Sequence, residues 1–295
     1  MRTLKLLIFF FFISATAIAQ QKIPFKLTDY NNLSIKAILN KRDTVNLMFH
    51  TAANAVTLTE EALLKISSLK FERTDSVKSW GGNDNTSRFS KSNLIEIGSN
   101  KWENVPIWEN KNSGQQTDGK FGLDFFEGKT IELDFEKNSL LVHQALPNKT
   151  KRYQKLKISF EDEMMFVTGT IKIGSNSYKN KFLIHSGYAG AVLLDDQFVA
   201  KNKLADQLII TDEKQLKDSF GNVLKTKKAI LPSFALTNVT LKNVSVGFFE
   251  GAIGRQKYSI LGGDVLKRFN IVIDNKREFI YLKSNKFSNL PYLNI

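Results

Sequence analysis

Lys181-Phe182-Leu183-Ile184-His185-Ser186-Gly187-Tyr188-Ala189-Gly190-Ala191-Val192-Leu193-Leu194 is the stretch on which the fold turns. An apolar strand runs into a small polar triplet, turns through glycine and leaves on a second apolar strand. Asn46-Leu47-Met48-Phe49-His50-Thr51-Ala52-Ala53-Asn54-Ala55-Val56-Thr57-Leu58 says nearly the same thing upstream. The two align without a gap at an offset of 135, histidine on histidine and hydroxyl on hydroxyl. Of the chain's 3 histidines, two occupy this one repeated position.

A second repeat fixes the frame. Phe121-Gly122-Leu123-Asp124-Phe125-Phe126 returns as Leu261-Gly262-Gly263-Asp264-Val265-Leu266, and both continue into Ile131-Glu132-Leu133-Asp134 and Ile271-Val272-Ile273-Asp274 at an offset of 140. Long-period self-similarity reports a duplicated architecture. Two copies suit a two-lobed molecule with pseudo-twofold symmetry, since a solenoid needs at least three stacking units.

This pairing of motifs resembles the aspartic proteases of pepsin and retropepsin type, especially bacterial secreted members. Their signature is two apolar residues, Asp-Thr-Gly or Asp-Ser-Gly, and an apolar strand, followed later by an apolar-apolar-Gly turn that opens a short helix. Ile260-Leu261-Gly262-Gly263-Asp264-Val265-Leu266 is similar to that turn. The resemblance spans nearly all of the chain after its first residues and implies an all-β, two-lobed β-barrel fold with a few short helices and a cleft between the lobes. It places His50 and His185 where the family has its catalytic aspartates, with Thr51, Ala52, Ser186 and Gly187 as the supporting motif. Ala52 stands in place of a glycine and is expected to tighten its turn. By the same resemblance a β-hairpin flap lies over the cleft, and Trp80-Gly81-Gly82 is the candidate tip, with an ordinary surface hairpin as the alternative.

The chemistry of the family depends on two carboxylates that share a proton, so that one acts as acid while the other acts as base. Neutral imidazole offers one donor and one acceptor and carries no negative charge. Two imidazoles can hold a water but cannot supply that shared acidic proton. Asp124 and Asp264 remain, yet their place after Gly122 and Gly262 matches a structural helix start. In the leading reading the histidines fill the old catalytic position without acting, and the protein is a pseudoprotease that binds peptide or another extended polymer in the cleft. A second reading makes His50 and His185 ligands of a metal, but two ligands are too few and no third residue can be named. A third keeps an active hydrolase, metal-assisted or with histidine as general base. A further alternative is an envelope or surface interaction protein that works through its basic exterior. The balance leans against an enzyme, and no cofactor is implied.

Composition bounds the rest. Arg2 and Lys5, the apolar run Leu6 to Ile13 and Ala17-Ile18-Ala19 read as a secretory signal over residues 1–19, so a periplasmic or secreted address is expected. The apolar run is far short of the ~20 residues a spanning helix needs, and no other segment suits a membrane. With 0 cysteines there are no disulfides, thiolate metal sites or cysteine nucleophile. The formal charge of +13 is spread along the chain without the aromatic-basic interleaving of a nucleic-acid platform, and no nucleic acid is expected. Pro147 to Arg152 is the best linker, which divides the chain into lobes at 20–147 and 148–295. Thr59 predicts a helix cap over Glu60 to Ile66, and Asp195-Asp196 one over Gln197 to Lys203.

Overall fold

The computed structural model describes residues 21–78, 84–111, 113–217, 223–250 and 256–293. Strand formation follows the side-chain alternation: Leu33–Leu39 buries Leu33, Ile35, Ala37 and Leu39 while Lys36 and Ile38 face out. In the first lobe six strands close on themselves in the order Leu33–Leu39, Asp43–Phe49, Gly119–Phe121, Val56–Thr59, Asn100–Asn110 and Asp84–Ile97. The ring is shut where Ile38 and Leu39 pair with Glu96 and Ile95. The second lobe repeats that order with Met164–Ile173, Asn176–His185, Ser259–Gly262, Val192–Leu193, Val239–Glu250 and Val223–Leu236. Its ring is shut by Ile171 opposite Phe234. The fold is all-β and two-lobed, as the repeats predict.

A third sheet joins the barrels. Gln21–Pro24, Ser139–His143 and Thr130–Asp134 come from the first half, and Phe269–Ile273, Phe279–Ser284 and Gln154–Lys157 from the second. At its centre Ile131, Glu132 and Leu133 pair antiparallel with Ile273, Val272 and Ile271. Ile131 is the repeat equivalent of Ile271, and Leu133 of Ile273, so this ladder is unchanged when the lobes are exchanged. The pseudo-twofold axis therefore passes through the Glu132–Val272 pair. Between the halves, Asn148–Arg152 is a turn of 3-10 helix tied down by Lys149 Nζ, 2.5 Å from the buried Glu132. His143 Nε2 lies 2.9 Å from the same carboxylate.

Both predicted caps form, the first on a helix shorter than the sequence suggests and the second on one that begins a residue earlier. Thr59 accepts from the Ala62 N–H to start Glu60–Leu63, and Asp195 accepts from the Phe198 N–H to start Asp196–Asn202. These caps also correct the repeat. They lie one position further apart than the two histidines, and Thr57 and Leu193 hold equivalent places opposite Lys120 and Ile260. The gapless alignment thus fails after the hydroxyl, and the second lobe carries one extra residue in the loop from Gly187 to Ala191. Among the described residues no helix is long and apolar enough to cross a membrane.

Candidate functional site

His185 ends, and His50 directly follows, a barrel strand that runs parallel to the strand leading into a glycine turn. Leu47, Met48 and Phe49 pair with Gly119, Lys120 and Phe121, and the His50 N–H donates to the Phe121 carbonyl at 2.9 Å. In the second lobe Ile184 and His185 pair with Leu261 and Gly262. The glycines are demanded by close approach. A Cβ on Gly122 would lie 1.9 Å from the Ala53 carbonyl oxygen, and one on Gly262 would lie 2.2 Å from that of Gly190. The loops that follow the two histidines are thereby drawn to the lobe boundary.

There the hydroxyls exchange bonds across the boundary. Thr51 N–H donates to Ser186 Oγ at 3.0 Å, and Ser186 N–H donates to Thr51 Oγ1 at 3.0 Å. Thr51 Oγ1 in turn donates to the Ile184 carbonyl at 2.7 Å, and Ser186 Oγ to that of Phe49 at 2.8 Å. Both residues are buried, so each hydroxyl satisfies one N–H and one carbonyl that water cannot reach. The exchange holds the histidine rings face to edge, with centroids 4.5 Å apart at an interplanar angle of 68°.

Among solved structures the chain is similar to the aspartic proteinase from Irpex lacteus, with a TM-score of 0.58 and 14% identity over 92% of this chain and 99% of that one. No protein-family model matches the chain, and no curated protein matches it in sequence. The fold is aspartic-protease-like. At this identity the likeness concerns architecture alone, and the site has to be read from its own residues.

In this aspartic-protease-like frame both imidazoles are held neutral. His50 is 6% exposed, and its basicity is pushed well below the usual imidazole range, by burial first and then by the neighbouring His185 and Lys120. Burial, with a further contribution from Lys120, takes His185 down to about 4. His50 Nδ1 accepts from the Ala52 N–H at 3.1 Å, so the proton of the neutral ring sits on Nε2. His185 Nδ1 is buried and has no hydrogen-bond partner. The two supporting positions differ as well. Gly187 lies under the His50 ring, where a Cβ would come 2.4 Å from Cδ2 and 2.5 Å from Nε2. Neither Ala52 nor Gly187 is among the residues with left-handed backbone.

The two aspartates after the glycine turns stand apart from the histidines. Asp124 opens the 3-10 turn Leu123–Phe126, and burial raises its pKa above the usual carboxylate range. Asp264 is fully buried. It pairs with Lys267 Nζ at 2.8 Å and accepts from the Leu293 N–H at 2.6 Å, anchoring the C-terminal segment. Arg268 completes that anchor, donating to the carbonyls of Phe287, Ser288, Leu290 and Pro291. The flap candidates Trp80, Gly81 and Gly82 lie outside the described residues, as does the signal segment 1–19. Among the described residues no three of His, Cys, Asp or Glu converge as a metal-ligand set.

Sequence reasoning passed over two residues here. Lys120 is a half-buried lysine on the strand beside His50, and burial lowers its pKa. Tyr188 belongs to the lengthened loop, and burial pushes its phenol up to about 12, so it stays protonated. Lys120 had a legible signal: Gly119-Lys120-Phe121-Gly122 answers Ser259-Ile260-Leu261-Gly262, and a charge stands where the repeat has isoleucine.

Proposed function

We propose that this chain is a catalytically degenerate, aspartic-protease-like protein, exported to the periplasm or beyond, that binds peptide or another extended ligand between its lobes. One observation carries the reading. At the junction where the family would need paired carboxylates stand two imidazoles 4.5 Å apart, and the charged groups that bear on them, His185 and Lys120, are cationic when protonated. A pair of neutral rings beside a lysine cannot share an acidic proton at the reacting centre. The binding half of the proposal is supported by the hydroxyl exchange, which keeps the two barrels in register around the junction. An extended chain laid there can be held through main-chain hydrogen bonds and side-chain pockets.

The test combines two assays on the purified protein. Denatured casein, incubated from pH 3 to pH 8, should remain uncut, and immobilised random peptides should be retained saturably. Cleavage that disappears in His50→Ala or His185→Ala would overturn the degenerate reading and return the pair to a catalytic role.

A further inference from the structure

The pseudo-twofold relates Lys120 to Ile260. Lys120 pairs with Met48 on the parallel ladder beside His50, as Ile260 pairs with Leu183 beside His185. In the second lobe this place is apolar. Phe166, Leu183 and Ile260 pack with Met164, Tyr188 and Leu193, and with Ala52 from across the boundary. Tyr258 sets its ring edge-on to Phe166 at 5.3 Å. In the first lobe the equivalent side chain is a primary amine.

That amine faces the junction. Phe121, next along the strand, is fully buried in the barrel core, so Lys120 projects from the opposite face, the one it shares with Met48. Met48 reaches as far as Gly187, its Cε 3.2 Å from where a Cβ would stand. Lys120 makes no side-chain hydrogen bond or ion pair with any described residue, although it is half-buried and its surroundings disfavour charge. An ammonium withdrawn from water without a counter-ion is costly, which is why such groups are normally paired. The buried, partnerless Nδ1 of His185 is a second unmet polar atom in the same junction.

We propose that Lys120 is the counter-ion for a carboxylate on a bound peptide, with the adjoining apolar side chain of that peptide resting against the half-buried rim of that cluster, Met164, Tyr188 and Leu193. The inference rests on the peptide-binding reading above and narrows it. A carboxylate accepts several hydrogen bonds, and the Nε2–H of His50 offers a second donor beside the lysine. The carboxylate can be the C-terminus of the peptide or an acidic side chain within it, and the experiment separates these sources.

Fluorescent hexapeptide pools with randomised apolar positions would be made as the free acid, as the C-terminal amide, and as the amide with one internal glutamate. Binding to the purified protein is read by anisotropy at fixed salt. At least one carboxylate-bearing pool should bind on the order of 10-fold more tightly than the plain amide, and the tighter of the two names the source. Lys120→Met should erase that preference, and Lys120→Arg should keep it. An amide pool that binds as tightly as both others, or a preference that survives Lys120→Met, overturns the carboxylate site and leaves the peptide reading standing. Failure of every pool to bind overturns both.

Discussion

The two lobes agree in their barrels and in the hydroxyl pair that joins them, and disagree in the side chains around the two histidines. Strand order, ring closure, helix caps and the glycine turns match element for element. At the junction, Ala52 stands against Gly187, Lys120 against Ile260, and three loop residues, from Ala52 to Asn54, against the four from Gly187 to Gly190. Barrel positions are fixed by close packing, which tolerates little change in volume. Junction positions meet only one another and whatever enters between them. The symmetric frame therefore carries an asymmetric site, cationic on one side and apolar on the other.

The strongest way to break this comparison is to attack what the lobes share. Thr51→Val or Ser186→Ala removes a hydroxyl and strands one buried N–H and one buried carbonyl. Each stranded group costs about 1–3 kcal/mol, so either substitution should lower unfolding free energy by roughly 2–6 kcal/mol in urea titrations. A loss below about 1 kcal/mol would mean that the exchange does not hold the lobes together.

Acid should act next most strongly. Both folded imidazoles titrate below the unfolded value of ~6.5, so the unfolded chain binds more protons as pH falls. Their stabilising effect is complete above about pH 6.5 and drains away as pH drops toward the folded value of His185, about 4. At ~1.4 kcal/mol per pKa unit, His185 alone accounts for on the order of 3 kcal/mol. Stability against pH should therefore flatten in the His50→Gln, His185→Gln pair. Parallel curves for wild type and variant between pH 7.5 and 4.5 would show that the rings are not buried against each other.

Two smaller substitutions sharpen the contrast between halves. Gly187→Ala pushes a Cβ into the His50 ring and should cost about 1–3 kcal/mol, most of it recovered in a His50→Ala background. Ala52→Gly, its mirror, should cost about 1 kcal/mol, from the freer unfolded chain and from the lost contact of its methyl with Phe166, Leu183 and Ile260. Equal costs for the two would make the lobes equivalent after all. Least of all, Lys120→Ile copies the second lobe into the first and should stabilise the free protein by up to about 1 kcal/mol, because a half-buried amine with no partner among the described residues is removed. Destabilisation by that change would show that the amine has a partner in the free state.

Architecture was legible because duplication writes it twice. His50 with Thr51 and His185 with Ser186, each followed at long range by Gly122 or Gly262, place two strands and two turns in each lobe before any coordinate is known. The site was legible only in part. That the imidazoles would meet follows from the repeat, but their unequal surroundings do not. The His50 ring over Gly187, the orphaned Nδ1 of His185 and the extra residue beside Tyr188 depend on which loop crosses the boundary first. Local periodicity carries no such information. Lys120 was readable as a charge that breaks the repeat, yet its consequence needs the knowledge that its strand borders the junction.

The central ladder has a consequence for how the chain is made. Thr130–Asp134 leaves the ribosome roughly 140 residues ahead of its partner Phe269–Ile273, which at 5–20 residues per second is a wait of about 7–28 s. Throughout that time the first lobe exposes an edge whose ladder is self-symmetric, so another nascent first lobe could present the same edge to it. Glu132 stands in the middle of that edge, and His143 and Lys149, the groups that bind its carboxylate, are translated soon after it. A charge is thus in place at the strand's centre long before Val272 arrives to cover it. Premature termination within the second half would leave the edge open for good, and such fragments should pair with one another or be cleared.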